Sequence, residues 1–391
     1  MACAYTLAVM HRRTVLELFA GVAVAGFPVS QAAPKRVVIA GAGMIGANIA
    51  YQLVKRGAEV TVVERNQPGR GATANSFAWI NAKKRPRPYY DLSRLGIQAW
   101  RQMDREFSGA LPLIWGGSVE WRAETDAGAR LTKDLAEFQA WQYPGKALDS
   151  AALQALEPKL TPGPIAAAAH WSDEGHIDPV GVTEKVLAKA QANGARLLCP
   201  AEVTGLDLTG GSLKAVQTTA GELQADAIVV ACGVDTPRVA GFAGVRVPLK
   251  DAPGVLVHVP PQPALVQRVI LAPVGNIKQK PDGRIVAGSD FASGGGDTSR
   301  EAGERLLKTM SSVLPGIERG GVEKMTQGFR PMPADGFPIV GFAPGRRDLY
   351  LAVMHSGVTL GALIGRLTAS EMLDGVKAEP LAPYRLERFG G

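Results

Sequence analysis

The chain of 391 residues has only three cysteines, with no CxxC and no Cys/His cluster, which excludes a zinc site and a dithiol redox centre. Like charges form no long block. The balance of 43 Lys+Arg against 36 Asp+Glu leaves a net charge of +7, scattered and without aromatic interleaving, a poor pattern for nucleic acid. An anionic cofactor, a carboxylate substrate or an anionic membrane surface suffices to answer it. The mildly apolar run Val15 to Val29 is too short to span a bilayer. No internal repeat, low-complexity segment or second GxGxxG occurs. With 46% hydrophobic and 20% charged residues, the composition is that of an ordinary globular protein long enough for two or three domains.

What is present centres on Arg36 to Glu64. Val37 to Ala40 run into Gly41-Ala-Gly43-Met-Ile-Gly46; an apolar helical stretch follows and stops at Gly57, and Val60 to Val63 end on Glu64. This is strand, turn, helix, strand. Gly41 permits the turn, Gly43 lets backbone N–H groups near a pyrophosphate, and Gly46 lets the helix lie on the sheet. The helix N-terminus, at Met44 and Ile45, presents unpaired donors and the positive dipole end to phosphates. Glu64 is placed to accept hydrogen bonds from ribose hydroxyls. The stretch reads as a dinucleotide-binding unit.

Residues 1–34 read as an address. Arg12-Arg13 precede the apolar run, and small residues at Ser30-Gln-Ala32 mark a cleavage point, the pattern of a twin-arginine export signal. The expectation is a periplasmic protein; the alternative is a cytoplasmic one with an untidy extension.

After Glu64-Arg65, the small polar residues Thr73, Asn75 and Ser76 around Ala74 suggest a loop that meets a ligand. Tyr90 to Phe107, Asp126 to Tyr143 and Leu153 to Leu156 read as helices. Asp178 is placed to cap the next helix, with Pro179 at its first position. Gly205–Leu208, Leu213–Thr218 and Glu222–Ala225 predict an antiparallel meander, and Ala227 to Ala231 a buried parallel strand ending at Cys232-Gly233. Cys199 and Cys232 are expected as buried thiols. Asn276–Lys280 and Arg284–Gly288 flank the turn Pro281-Asp-Gly283 as a hairpin, followed by a helix over Ser299 to Val313. The last stretch is a turn-rich crossing, a strand, a glycine break and a long terminal helix.

VVIAGAGMIGANIAYQLVKRGAEVTVVER, GATANSFAWIN, AIVVACGVDTPRV and GFRPMPADGFPIVG with HSGVTLG together resemble the FAD-dependent D-amino-acid oxidase, glycine oxidase and sarcosine oxidase family, from Arg36 to about Leu373. RPMPADGFPIVG is especially similar to bacterial D-amino-acid dehydrogenases. The resemblance implies an α/β fold with a Rossmann-like FAD-binding domain from 35–83, 165–245 and 325–391. Residues 84–164 and 246–324 would form a second domain on an antiparallel sheet roofing the flavin. It assigns Val203, Cys232 and Gly233 to the cofactor. Ser356, Gly357, Val358, Thr359 and Leu360 would present N–H groups to the flavin's pyrimidine edge. It implies oxidation of the C–N bond of an amino acid, a D-amino acid or an N-substituted glycine. Hydride passes to flavin N5, and the imine is then hydrolysed. No cysteine follows Cys232, so the FAD is expected to be noncovalent. Oxygen or a membrane quinone or carrier would be the acceptor. Val286, where sarcosine oxidases carry an oxygen-promoting lysine, leans the choice towards a dehydrogenase. A flavin-bearing electron-transfer or assembly subunit remains the second class.

Three residues are candidates for the reaction. Arg330 lies where relatives bind a carboxylate, and its planar fork suits one; the alternative is an ion pair with Asp335. His355 is expected beside the flavin, hydrogen-bonding or merely packed. Lys278 alternates with Ile277 on the hairpin and either meets an acidic substrate group or is solvated. Trp79 and Asn81 follow the loop near the flavin, Trp79 as core packing by default. His258 reads as a sheet histidine, and His170 and His176 as no metal pair.

Replacing both Arg12 and Arg13 with Lys should retain folded, flavin-loaded protein in the cytoplasm, measured by cell fractionation. Undiminished periplasmic protein would show that residues 1–32 are no signal of this type.

Overall fold

The computed structural model describes residues 35–288 and 296–390, so the export-signal reading falls outside the described residues. Arg36–Ala40 lies inside a six-stranded sheet. In spatial order its strands are Ile339–Phe342, Leu349–Val353, Ala227–Val230, Arg36–Ala40, Glu59–Val63 and Arg196–Leu198. All neighbours are parallel except the edge pair Ile339–Phe342 with Leu349–Val353.

Alternation divides the sheet's side chains between two cores. Val37, Ile39, Val60, Val62 and Val229 pack on the helical side, while Val38, Ala40, Ile228 and Val230 pack under a meander of Val203–Asp207, Ala215–Thr218 and Gly221–Gln224. With both faces covered, the central strands are apolar apart from Arg36 and Glu59 at their starts and Thr61, as a buried parallel sheet requires. On the helical side Met44–Val54 packs against Pro179–Ala192 and Gly357–Asp374. At its start Gly41 has φ +101°, and a Cβ on Gly46 would stand 1.9 Å from the Gly41 carbonyl oxygen, so neither position accepts a side chain.

The second sheet has eight strands, ordered Lys324–Phe329, Pro253–Val259, Ile285–Gly288, Gly275–Gln279, Val269–Ala272, Ser118–Arg122, Ala167–Trp171 and Gly145–Leu148. It is antiparallel except where Val269–Ala272 runs parallel to Ser118–Arg122. Ala167–Trp171 and Lys324–Phe329 belong to this sheet, so the sequence-derived boundaries at 165 and 325 cut it. Arg87–Glu106, assigned from sequence to the second domain, instead packs on the terminal helix Gly357–Asp374.

Local differences have local causes. The helix expected from Tyr90 begins at Arg87, because Pro88 suits its first turn with Pro86 extended at the N-cap; the next runs Thr125–Ala140. Asp178 stands at the N-cap position without a capping bond, its carboxylate lying 3.3 Å from Lys280 Nζ. Cys199 and Cys232 are half-buried rather than buried. No described helix is long and apolar enough to cross a membrane.

The carboxyl-terminal segment is tied in by one buried cluster. Glu371, 3% exposed, accepts from both terminal nitrogens of Arg385, from Tyr350 Oη at 2.8 Å and from the Ala378 N–H at 2.8 Å. Arg385→Ala leaves this carboxylate without its counter-charge and should cost about 3–5 kcal/mol. Arg388→Ala, which breaks a more exposed pair with Asp335 and two hydrogen bonds to the Arg385 and Phe337 carbonyls, leaves no buried charge behind and should cost less, about 1–2 kcal/mol. Chemical unfolding of the two variants measures the difference; equal midpoints would refute the ranking.

Candidate active site

Two adjoining cavities, of about 360 and about 160 Å³, open beyond the carboxyl ends of the parallel strands, where a ligand crevice belongs in such a sheet. The first begins at the glycine turn. Ala42 N–H donates to Glu64 Oε2 and Asn66 N–H to Oε1, each at 2.9 Å, so the carboxylate clamps the turn to the end of the second strand. Lone pairs remain on both oxygens. Met44 N–H donates to Thr73 Oγ1 at 3.0 Å, which fixes the 71–76 loop over the helix start. Other first-turn N–H groups have no acceptor within their own helix. Around the far end, Arg65 pairs with Asp235 at 2.7 Å and Arg238 with Glu202 at 2.7 Å.

Of the residues singled out from sequence, Gly41, Gly43, Met44, Ile45, Glu64, Arg65, Thr73, Asn75, Ser76, Val203, Cys232, Gly233, Gly357 and Val358 line the first cavity. His355, Val358, Asn75 and Ser76 line both; Ser356, Thr359 and Arg330 line the second. Gly46, Ala74 and Leu360 line neither. Gly46 is taken up by helix packing, and Leu360 is fully buried in the core.

Lys278 also lines neither cavity. It is 1% exposed, not solvated, and its Nζ donates to the Ile177 carbonyl at 2.9 Å. Burial, followed by Lys280, pulls its pKa down to about 7. Asn276, two residues earlier on the same face, does reach the second cavity.

Arg330 is held by the Ala252 and Pro253 carbonyls, with its guanidinium across Gly254 where a Cβ would collide with it. The expected alternative partner, Asp335, is engaged by Arg388 instead, at 2.7 and 3.0 Å. Burial lowers the pKa of Arg330. His355 is pushed down to about 4, by burial first and then by Lys84 and Arg330, so its ring is neutral at physiological pH. Cys232, at the dinucleotide end, is raised to about 12 by burial.

The start of the terminal helix forms the wall between the cavities. Ser356 stands at its N-cap position without capping it, its hydroxyl being paired with Tyr89 Oη at 2.7 Å. Thr359 Oγ1 accepts from the Asn81 N–H at 3.3 Å, tying the end of the Trp79–Ile80 strand to that helix. Trp79 lines the second cavity rather than only packing in a core, and its Nε1–H donates to Glu174 at 2.8 Å. Glu174 is fully buried and also accepts from Ser118 and Tyr143.

Lys84 lines the second cavity as well, and sequence reasoning missed it. Its neighbour Lys83 reaches Glu120 Oε2 at 2.5 Å, and no feature of the sequence separates the two lysines. Among the described residues no cluster suits a metal ion.

The first cavity fits FAD on its own donor set. Glycine-turn and helix-start N–H groups suit a pyrophosphate, Glu64 suits a ribose, and a second helix start lies towards the adjoining cavity. Glu64→Ala removes a charge-assisted acceptor and the clamp on the turn, and should weaken FAD binding by on the order of 1.5–3 kcal/mol. Titration of the apoprotein with FAD measures it; unchanged affinity would take Glu64 out of the site.

Comparison with known proteins agrees with this geometry. A family profile described as "DAO: FAD dependent oxidoreductase" matches residues 36–371. Glycine oxidase of Geobacillus kaustophilus is 27% identical over 373 residues, covering 91% of this chain and 97% of that protein. Its crystal structure superposes with a TM-score of 0.82 at 25% identity, covering 90% and 99% of the two chains. D-amino acid dehydrogenase of Rhizorhabdus wittichii is 25% identical, covering 83% of this chain and 92% of that protein. With the dinucleotide crevice at the carboxyl ends of the sheet and a family match over most of its length, the chain belongs to the DAO family of FAD-dependent oxidoreductases.

Proposed function

We propose that the chain oxidises the C–N bond of an amino acid, taking a carboxylate substrate in the second cavity. The observation that carries this reading is Arg330, a half-buried guanidinium on the wall of a small cavity that adjoins the FAD site. A guanidinium matches a carboxylate in two parallel hydrogen bonds, and the two backbone carbonyls already fix its plane. The glycine oxidase and D-amino acid dehydrogenase relatives support an amino acid as the substrate.

Bound FAD supplies the acceptor for a hydride leaving the substrate α-carbon with its electron pair. The nitrogen lone pair closes the C=N bond, and water then hydrolyses the imine. What the protein contributes is position and field. Arg330 fixes the carboxylate end, and Trp79 and Phe77 line the walls. His355 is neutral, so it offers a hydrogen bond without a charge. The terminal helix start stabilises negative charge on its cavity side.

The flavin is proposed to be noncovalent: Cys199 lines neither cavity and Cys232 only the first. A quinone or other carrier is proposed ahead of oxygen as acceptor on Val286, the residue that stands where sarcosine oxidases carry an oxygen-promoting lysine. Export to the periplasm is proposed on Arg12-Arg13 and the apolar run alone.

The Arg330 series tests the reading. Removing a charged partner from a desolvated pocket costs about 2–5 kcal/mol, roughly 30- to several-thousand-fold in kcat/KM. Arg330→Ala should show that loss on amino acids and a small one on carboxylate-free amines, with FAD content intact; Arg330→Lys should fall between. Anaerobic flavin bleaching by D-amino acids, N-methyl amino acids and plain amines reads it. Equal losses on acids and amines, or loss of FAD, would make Arg330 a structural residue.

A further inference from the structure

The second cavity holds a cation that this reading leaves unused. Lys84 lines it, half-buried, and no Asp or Glu among the described residues does. Lys83 next to it is answered by Glu120, whereas the Lys84 ammonium has no hydrogen bond or ion pair among the described residues. Glu174, whose charge Lys84 feels, is already bound by Trp79, Ser118 and Tyr143. Burial lowers the pKa of Lys84, the mark of an ammonium short of solvation and counter-charge. An anion entering the cavity restores what is missing.

An amino acid that reacts as its free amine brings one negative charge, on the carboxylate given to Arg330. Lys84 then stays unanswered. A substrate with a second carboxylate supplies that charge within a cavity of about 160 Å³, well below the roughly 300–1,000 Å³ typical of sites for drug-sized ligands.

We propose that Lys84 selects amino dicarboxylates, its ammonium taking a second carboxylate while Arg330 holds the first. The inference rests on the amino-acid reading above. The second carboxylate sits either on the side chain, as in glutamate or aspartate, or on an N-carboxymethyl group, as in iminodiacetate; both present the same chemistry to Lys84.

The experiment compares FAD-loaded wild type, Lys84→Met and Lys84→Arg by anaerobic flavin bleaching. The panel is both enantiomers of glutamate and aspartate, iminodiacetate, glycine, sarcosine and D-alanine. Wild type should favour at least one dicarboxylate by about tenfold or more in kcat/KM. Lys84→Met should lose about 30-fold on that substrate and far less on monocarboxylates, and Lys84→Arg should recover most of it. Which arm responds assigns the second carboxylate to the side chain or to the nitrogen.

Glutarate and propionate, which cannot be oxidised, provide a second readout through the flavin absorbance shift of wild type. Glutarate should bind more tightly, and its advantage should fade as pH rises through the depressed pKa of Lys84. This arm stands even if the variants do not fold. Bleaching by monocarboxylates with no preference for any dicarboxylate, or equal losses in Lys84→Met on both classes, would overturn the proposal and leave the amino-acid reading standing. No bleaching by any amino acid would overturn both.

Discussion

The close crossing of two helices governs the arrangement of this molecule. On one side the Met44–Val54 helix rests on the glycine turn, with no room for a side chain at Gly46. On the other side Gly365 of the terminal helix meets the Asn48 backbone, where a Cβ would stand 2.6 Å from the carbonyl oxygen. Backbone-to-backbone contact of this kind fixes the spacing of two elements more tightly than side-chain packing, because no rotamer can absorb a shift. The consequence is functional. Both helices direct their first turns at the same long cavity, so one packing constraint sets the positions of two positively polarised helix ends. One end serves the phosphates and the other the region where the cavities meet.

Polar groups around the smaller cavity form a graded set. Glu174 is spent on holding Trp79, Ser118 and Tyr143, and Glu120 is spent on Lys83 and Arg122. Both carboxylates stand behind the wall rather than in it. Among the described residues the charged side chains on the cavity surface are Arg330 and Lys84, beside a neutral His355. The wall thus carries, among the described residues, two cationic side chains and no carboxylate.

The legible part of the sequence was the part whose chemistry is local. The turn, the first helix, Glu64 and the meander each follow from residues near one another in the chain. Lys278 shows the limit: strand alternation gave its face, but the carbonyl that receives its ammonium belongs to Ile177, 101 residues away. Asp335 was read as a partner for nearby Arg330, yet the ion pair forms with Arg388, 53 residues further on. The pairing of Ala167–Trp171 with Ser118–Arg122 likewise draws a strand out of the nucleotide-binding segment to which its position in the chain assigned it. Lys84 was invisible for the same reason. Its difference from Lys83 lies wholly in Glu120, which reaches one lysine and not the other.

The absence of a described acid from the smaller cavity also bears on the chemistry proposed for it. Hydride departure needs the substrate nitrogen's lone pair, hence the neutral amine rather than the ammonium. In solution an amino acid is almost wholly the ammonium at neutral pH. Among the described residues no carboxylate on the cavity wall holds the proton of a bound ammonium, and His355, kept neutral by burial first and then by Lys84 and Arg330, adds no charge there. The cavity therefore offers the ammonium form no counter-charge beyond the substrate's own carboxylates, and the neutral amine enters a desolvated site at least cost. Release of that proton to water on binding needs no dedicated base.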